Sequence, residues 1–283
     1  MSAATDSSEI TIRSIDDFAE MRAVEELQKE VWGVPDLDVV PLTHLVATKE
    51  AGGVLIGAFA GRTMVGFIYG FPGFEHGQPA HHSHMLAVKP AFRNHDLGRR
   101  LKLAQREQVM TQGIGLMTWT FDPLQSLNAH FNFNKLGVLS GRYLLNFYGE
   151  EAPSFLHRTG TDRLWVSWFL ASMRVKQRIG GAIEPVDLEP GLPLVAVQSD
   201  ESPARNDLAA GLSHDVAKIE IPGNINALQK ERPELALKWR KETRWAFTEA
   251  LNLGYSVTDF VRETRGPQRI GKYLLSKTAL LND

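Results

Sequence analysis

Hydrophobic and polar positions predict a strand, a short polar turn and a basic helix between residues 85 and 113. Residues 85–88 form an apolar run that Pro90 ends. From Gly98 apolar residues recur at helical spacing, and Gly113 is a helix stop. Free backbone N–H groups and the positive dipole end make the start of such a helix suitable for a phosphate.

The chain before this segment follows a strand–helix–helix–hairpin pattern. Alternation predicts a strand, capping residues predict two helices, and a Gly-Arg pair predicts a tight turn between two apolar strands. The predicted elements are a strand at 10–13, a helix capped by Asp16, a second helix from Pro41, and strands at 54–60 and 64–71.

After residue 113 the pattern predicts a strand, a helix and two more strands, followed by a different region. The predicted elements are a strand at 116–121, a helix at 124–136 and strands at 139–148 and 164–170. Glycines and prolines between 180 and 193 predict a linker, and residues 199–213 a polar loop. Further strands are expected at 216–221, 255–261 and 273–275.

The clearest helix spans residues 233–253, with Pro233 in its first turn and Gly254 after its end. One face is apolar and is expected to be buried against a small sheet and the preceding domain. It carries Leu235, Trp239, Ala246 and Ala250, whereas Lys238, Arg240, Lys241 and Arg244 are expected to form a solvated face.

The turn before the basic helix resembles the coenzyme A pyrophosphate loop of the GNAT N-acetyltransferase superfamily. Arg93 and Gly98 match the loop, whereas Asp96 stands where a glycine is usual. We expect Asp96 to point away from the pyrophosphate, to cap the helix or to weaken cofactor binding. The resemblance implies that these residues contact acetyl-CoA or another acyl-CoA: Leu86, Ala87, Val88, Arg93, Asn94, His95, Asp96, Leu97, Gly98 and Arg99.

A second GNAT-like pattern lies on the predicted helix at 124–136, where Ala129, Lys135, Leu136 and Gly137 fit the family. Ser126 replaces the usual asparagine, with Asn128 two residues on, and Phe133 replaces the usual tyrosine. The resemblance implies further cofactor contacts from Ser126, Asn128, Phe133 and Lys135.

The resemblance covers about residues 9–172 and implies an α/β fold. We expect a GNAT-like mixed, mostly antiparallel central sheet flanked by helices, with a C-terminal α+β extension. The predicted domains are a GNAT-like acyltransferase domain at 1–172 and an extension or subdomain at 173–283.

The segment between residues 75 and 84 is rich in histidine, and three interpretations stay open. In the first, two histidines of one strand bind zinc. A third ligand is not evident, and we expect no metal. Buried histidines that support the fold are a second hypothesis. In the third, His82 is the general base, with His84 and Glu75 as alternatives. Strand alternation predicts that His82 and His84 share a face with Leu86 and Val88.

Substrate contacts are implied by the family resemblance alone. It places Trp32, Asp36 and Asp38 near the acceptor, with a core position as the favoured alternative for Trp32. Arg142 and Tyr143 are expected at the acyl or acceptor end, where Arg142 or Arg163 would pair with a substrate carboxylate. Solvated arginines at strand edges are the alternative.

Composition limits the classes of function. The net charge of −2 gives no reason to expect nucleic-acid binding, and the absence of cysteine excludes a thiol nucleophile and thiolate zinc sites. No apolar run reaches transmembrane length, and the first residues lack a signal-peptide core, so we expect a cytoplasmic protein with no membrane partner. A homodimer stays open.

The predicted function is acyl transfer from coenzyme A to a small primary amine, for example an amino acid, by direct attack on the thioester. A non-catalytic acyl-CoA-binding or sensing protein on the same fold is the alternative, and a metal hydrolase is a third. Because Phe133 has no proton to give, the demanding step is proton removal, and we expect kcat/KM to rise with pH through one ionisation in the histidine range.

Overall fold

A computed structural model describes residues 10–149, 159–182 and 191–277. By its internal contacts the chain divides into two compact units. Among the described residues, the first unit comprises 10–117 and the second comprises the rest. The domain boundary predicted after residue 172 stays a prediction. Part of the predicted linker, residues 183–190, lies outside the described residues.

The first unit contains four strands and three α-helices in the described residues. In chain order they are β1 (Ile10–Ser14), α1 (Phe18–Trp32), α2 (Leu42–Glu50), β2 (Val54–Ala60), β3 (Thr63–Glu75), β4 (Gln78–Val88) and α3 (Leu97–Thr111). Two 3-10 turns, Asp36–Asp38 and Pro90–His95, precede α2 and α3. The next strand, β5 (Leu116–Phe121), begins in this unit and continues into the second.

Strands β1 to β4 pair in chain order, each antiparallel to the next. The core beneath them is built from α1, α2 and one face of β2, β3 and β4. Its members include Val24, Leu45, Phe67 and Tyr69. The cap predicted for α1 is one residue off, because Asp17 accepts the backbone N–H groups of Ala19 and Glu20, whereas Asp16 pairs with Lys49.

The second unit continues β5 with seven further strands and five α-helices in the described residues. They are α4 (Ser126–His130), β6 (Leu139–Leu144), β7 (Arg163–Phe169), α5 (Met173–Ile179), β8 (Val195–Val197), β9 (Pro203–Arg205), α6 (Leu208–Gly211), β10 (Val216–Pro222), α7 (Ile225–Glu231), α8 (Pro233–Asn252), β11 (Ser256–Arg265) and β12 (Gln268–Ser276). A π-helical turn, Phe131–Leu136, extends α4.

The strand order in the second unit is β5-β7-β6-β11-β12-β10-β8-β9. The pairs from β6 onward are antiparallel except β8 with β10, which is parallel. The loop predicted at 199–213 is wrong in part, since it contains β9 and α6. Residues 203–205 were missed because three residues are too few to show an alternating pattern.

Helix α8 begins at the predicted Pro233 and ends at Asn252, one residue before the predicted end. Its apolar face is confirmed, but the predicted solvated face is wrong in part. Trp239, Ala246 and Ala250 are fully buried. Arg240 is buried as well, and its Nη2 lies 2.8 Å from Asp122 Oδ2. Arg244 makes two bonds of 2.8 Å to the carboxylate of Asp162. Acidic partners far away in sequence therefore draw two of the four basic residues inward.

An aromatic core in the second unit surrounds Tyr273 of β12. Its ring lies edge-on to Phe133, Phe247 and Phe260 at centroid distances of 5.9, 5.0 and 4.7 Å. The Tyr273 hydroxyl donates to the backbone oxygen of Pro123 at 2.6 Å. Residues from both sides of position 172 therefore share one core.

Among the helices that the structure describes, none has both the length and the apolar character needed to span a bilayer.

We predict that a chain ending at Ser172 is poorly soluble or inactive. It loses Tyr273 and Phe247, which cover Phe133 and Tyr143, and an exposed aromatic cluster of this size promotes association. Size-exclusion chromatography, circular dichroism and turnover measure the effect. A chain ending at Lys277 is the matched control, because it keeps every element named above. A well-folded and fully active short chain would contradict the prediction.

Candidate functional site

The predicted phosphate turn lies between the end of β4 and the start of α3. The 3-10 turn Pro90–His95 leads to Asp96, whose φ of 53° and ψ of 21° are left-handed. This conformation favours glycine and is tolerated by aspartate, which explains why a glycine is usual at this position. Leu97 is fully buried and begins α3, so the turn is anchored on its helix side.

Asp96 does not cap α3, so this part of the sequence expectation is wrong. Its side chain makes no hydrogen bond to the first backbone N–H groups of α3, and Oδ2 lies 3.4 Å from Nη1 of Arg99. Arg99 therefore partly neutralises the charge that would repel a phosphate.

The other predicted residues of the turn differ in their surroundings. Arg93 is exposed, and its Nε donates to the backbone oxygen of Val88 at 3.3 Å. His95 is exposed beside Phe92. Gly98 is half-buried. The side chain of Asn94 lies outside the described part of the chain. The turn thus presents a cationic surface with a defined backbone.

Strand β4 contains a bulge that reverses the alternation of its side chains. Tyr69 pairs with Met85 and Phe71 pairs with His82, so three steps along β4 match two steps along β3. Ser83 and His84 together therefore oppose Gly70.

The bulge makes one sequence prediction wrong, since His82 and His84 do not share a face with Leu86 and Val88. The two histidines lie beside Phe71 with the α1–α2 core. Leu86 packs toward Gly98 of α3. Val88 lies on the helix side as well, since the Cβ position of Gly66 has both Val88 and Leu101 as neighbours. Ala87 is buried in the α1–α2 core.

His82 and His84 belong to a cluster of rings on the α1–α2 side of β4. Their centroids are 6.0 Å apart, and Phe71 lies 5.5 Å from His82 and 5.7 Å from His84. Tyr69 contacts His84, and His44 of α2 contacts Tyr69. Within the described residues, no group of three or more His, Asp or Glu side chains is arranged to hold a metal ion.

The pKa of His82 is lowered to about 4 by burial, then by the positive charges of His84 and Lys102. Desolvation of the ring by its neighbours lowers the pKa of His84, and the charge of His44 adds to the effect. His82 is consequently neutral at physiological pH, which is the form that accepts a proton.

Glu75 is not brought together with the two histidines. It lies at the end of β3, opposite Gln78, whereas His82 lies opposite Phe71. Four strand residues separate these positions, or roughly 13 Å at the usual rise per residue. Its Oε1 lies 3.5 Å from Nε2 of His76. Its role as an alternative base stays a prediction.

Trp32 ends α1, where its half-buried ring packs edge-on to Phe67 at 6.0 Å. Asp36 and Asp38 are exposed on the following turn, and Asp36 pairs with Lys29 at 2.8 Å. These contacts agree with a packing role for Trp32, and its contact with the acceptor stays a prediction.

The predicted cofactor residues of the second unit do not lie on one face. Ser126 and Phe133 are buried, whereas Asn128 and Lys135 are exposed. The change from α- to π-helix at residue 131 alters the angle between them. The ring of Phe133 is fully buried against Phe121 and Tyr273.

Arg142 and Tyr143 have partners within the second unit. The guanidinium of Arg142 lies 4.8 Å from the ring centroid of Trp165. Tyr143 stacks on Phe247 and donates to Asp162 Oδ2 at 2.8 Å, and burial raises its pKa well above the usual value. Arg163 is buried and stacks on Tyr148. Substrate contacts of Arg142 and Tyr143 stay predictions.

Sequence reasoning missed a set of buried polar residues behind β4. Ser83 accepts a hydrogen bond from Lys102 and donates one to Gln105, and His81 lies beside Gln105 at the end of the set. A signal was present for Gln105, because it lies on the buried stripe of α3 between Leu101 and Val109. Lys102 gave no such signal.

Comparisons with known proteins bear on residues of both units. Residues 18–137 match the family model described as Acetyltransferase (GNAT) family. A search of curated proteins finds no match.

Three solved structures are similar to the chain. The ribosomal-protein-S18-alanine N-acetyltransferase of Escherichia coli has 13% identity and a TM-score of 0.46, covering 58% of this chain and 95% of its own. Aminoglycoside 6'-acetyltransferase type Ii has 18% identity and a TM-score of 0.47, with coverage of 57% and 98%. A GNAT family acetyltransferase from Elizabethkingia anophelis with acetyl-CoA bound has 15% identity and a TM-score of 0.43, with coverage of 56% and 97%.

The assignment rests on the family match, which includes β4, the turn at Asp96 and α3, and extends to Gly137 at the end of the second GNAT-like pattern. The α/β arrangement of these residues is that of the GNAT fold, to which the chain adds C-terminal strands and helices. Residues 18–137 of this chain are therefore similar to the GNAT acetyltransferase family.

Proposed function

We propose that this protein transfers an acetyl group, or another acyl group, from coenzyme A to a small primary amine. The observation that carries the proposal is the arrangement of residues 78–111. A strand that bears two clustered histidines leads through a cationic turn into a helix, and this arrangement lies inside the GNAT match. The site of action would be the cytoplasm, where acyl-CoA is available.

The turn provides the groups that a pyrophosphate requires. Because Asp96 does not cap α3, its side chain leaves the first-turn N–H groups available to a phosphate. Arg93 adds a cation at the same turn. The backbone of residues 86–88 would then pair with the pantetheine arm, as the family resemblance implies.

The reaction would be a direct transfer. The acceptor ammonium gives a proton to His82, the amine nitrogen attacks the thioester carbonyl, and the carbon–sulfur bond breaks to release the thiolate. A backbone N–H near Val88 would stabilise the oxyanion. Since a thiol has a pKa of about 8.5, the thiolate takes a proton from water, and Phe133 need not supply one.

The low pKa of His82 favours an acceptor amine that itself has a low pKa. Neutral imidazole accepts a proton, but a base with a pKa of about 4 is weak. An α-amino group, with a pKa of about 7.7–8.0, gives up its proton more readily than a lysine side chain at about 10.4. We therefore favour an α-amine such as that of an amino acid.

A non-catalytic acyl-CoA-binding protein is the second candidate, favoured by the buried phenylalanine at position 133. Both candidates bind acyl-CoA, and only an enzyme releases free thiol when an amine is added. A thiol-release assay across acyl-CoAs and amines separates them. The panel should include amino acids, short peptides and polyamines.

We predict that Arg93→Glu weakens acyl-CoA binding by about 1.5–3 kcal/mol, because a charge-assisted contact is lost. Isothermal calorimetry measures the change. Arg62→Glu is the matched control, since it alters the same charge at an exposed turn between β2 and β3. Equal affinities of wild type and Arg93→Glu would remove the basis for the cofactor site.

We predict that the pH profile of kcat/KM shows no ionisation of His82 between about pH 5.5 and pH 7. This pH range lies on the order of two units above the pKa of His82. Because its pKa is lowered to about 4, its neutral form is lost only near that pH. The expectation of an ionisation in the ordinary histidine range is corrected accordingly, and the amine itself supplies any rise above pH 7. His82→Ala should lower kcat/KM by roughly 10²–10⁴-fold.

The comparison with His84→Ala tests the assignment, because both substitutions remove an imidazole from the same cluster. Wild-type activity of His82→Ala would contradict the role of His82. A larger loss in His84→Ala would transfer the role to His84.

We predict that Phe133→Tyr lowers the free energy of unfolding by about 1–3 kcal/mol, because its new hydroxyl would be buried among aromatic rings. No increase in turnover is expected. Urea denaturation and thiol release measure the two effects. Phe147→Tyr is the control, since that ring is 41% exposed and its hydroxyl reaches solvent. A stable and faster Phe133→Tyr enzyme would contradict the prediction.

A further inference from the structure

A buried chain of hydrogen bonds connects α3 to β4 on the side opposite His82. Lys102 Nζ donates to Ser83 Oγ at 2.8 Å, and Ser83 Oγ donates to Gln105 Oε1 at 2.6 Å. Gln105 Nε2 lies 3.4 Å from His81 Nε2. All four residues are at most 4% exposed. None of them belongs to the predicted site.

The chain of hydrogen bonds runs in one direction, from Lys102 to His81. A lysine ammonium only donates, and the amide nitrogen of Gln105 only donates, so Nε2 of His81 must accept. His81 is therefore neutral with its proton on Nδ1. This agrees with its pKa, which burial lowers to about 4, with further contributions from Lys102 and His82. Each hydrogen bond thus specifies the orientation of the next group.

This chain contacts the bulge of β4 directly. Ser83 is one of the two bulge residues, and the opposing Gly70 leaves no room for a side chain. A Cβ at Gly70 would lie 2.5 Å from His81 Nε2, 2.6 Å from the backbone oxygen of His82 and 2.8 Å from Gln105 Nε2. The polar groups are therefore packed tightly against the backbone that reverses the strand.

Packing alone does not account for Lys102. Burying an ammonium group costs free energy, and its pKa is lowered well below the usual value by burial. An apolar side chain of similar length fills such a position at lower cost. A methionine at this position would supply no hydrogen-bond donor to Ser83.

We propose that Lys102 is a positioning residue that acts through Ser83 to hold the bulge of β4 and so to orient His82 toward the acceptor amine. The inference rests on the proposed function of His82. It assigns to α3 a second role, since the same helix that begins at the phosphate turn also determines the geometry of the strand that bears the base.

Lys102→Met is the first test, made in the full chain. We expect kcat/KM for the amine to fall about 10- to 100-fold, because a small displacement of a catalytic group has effects of this size. The melting temperature should be unchanged or higher, and the acyl-CoA Kd should stay within about twofold of wild type, which at that limit is 0.4 kcal/mol. Arg106→Met, one turn further along α3 and half-buried, is the control and should keep wild-type activity.

A double-mutant cycle tests whether Lys102 acts through Ser83. Ser83→Ala should lower kcat/KM as Lys102→Met does, and the double variant should lose no more than the more impaired single variant. Additive losses would contradict action through Ser83. Wild-type kcat/KM in Lys102→Met would overturn the proposal.

The imidazole signals of His84 give a readout that does not depend on turnover. The pKa of His84 is lowered by desolvation and by the charge of His44 of α2. The pKa of His82 is lowered by desolvation and by the charges of His84 and Lys102. Loss of the Lys102 charge therefore raises the pKa of His82 directly. The His84 imidazole signals above about pH 7, where both rings are neutral, change only if the bulge moves. NMR titration of Lys102→Met should show both changes.

The two proposals fail in different ways. If the wild-type protein releases no thiol with any amine while His84 responds to Lys102→Met, the enzymatic function fails and the positioning of β4 by Lys102 stands. If the His84 signals and their pKa are unchanged in Lys102→Met, the positioning role is wrong, whatever the turnover of the wild type.

Discussion

The bulge opposite Gly70 is the constraint on which the site in the first unit depends. A regular strand would present residues 82, 84, 86 and 88 on one face. The extra residue in β4 instead directs His82 and His84 to the α1–α2 side, and Leu86 and Val88 to α3. The ring cluster and the strand end beside the phosphate turn are thereby separated. Only glycine fits opposite the bulge, because the network of His81 and Gln105 occupies the remaining space.

Buried polar side chains shape both units, but their chemistry differs. In the first unit Lys102 donates to the hydroxyl of Ser83, which in turn donates to the amide of Gln105. In the second unit Arg240 and Arg244 meet the carboxylates of Asp122 and Asp162. Removing one partner of a buried ion pair costs roughly 3–5 kcal/mol. The buried pair of Arg240 with Asp122 therefore specifies how α8 lies on its unit.

The C-terminal residues complete the core of the second unit. Tyr273 contacts Phe133, Phe247 and Phe260 and donates to Pro123. Its ring therefore covers the position where the family usually has a tyrosine. Phe133 and residues of the C-terminal extension therefore belong to one packing arrangement.

Local patterns in the sequence determined most elements and the position of the turn before α3. Hairpin β2–β3, helix α3 and the ends of α8 follow from periodicity, proline and glycine. The motif around Arg93 and Gly98 indicated the family from the sequence alone. Tertiary structure alone decided which way β4 faces, because a bulge is one residue in register and leaves the alternation of residue types unchanged. It also decided that Lys102 and Arg240 are buried, since their partners are far away in sequence or on another element. Burial lowers the pKa of His82 for a similar reason, because desolvation depends on neighbours that no local pattern contains.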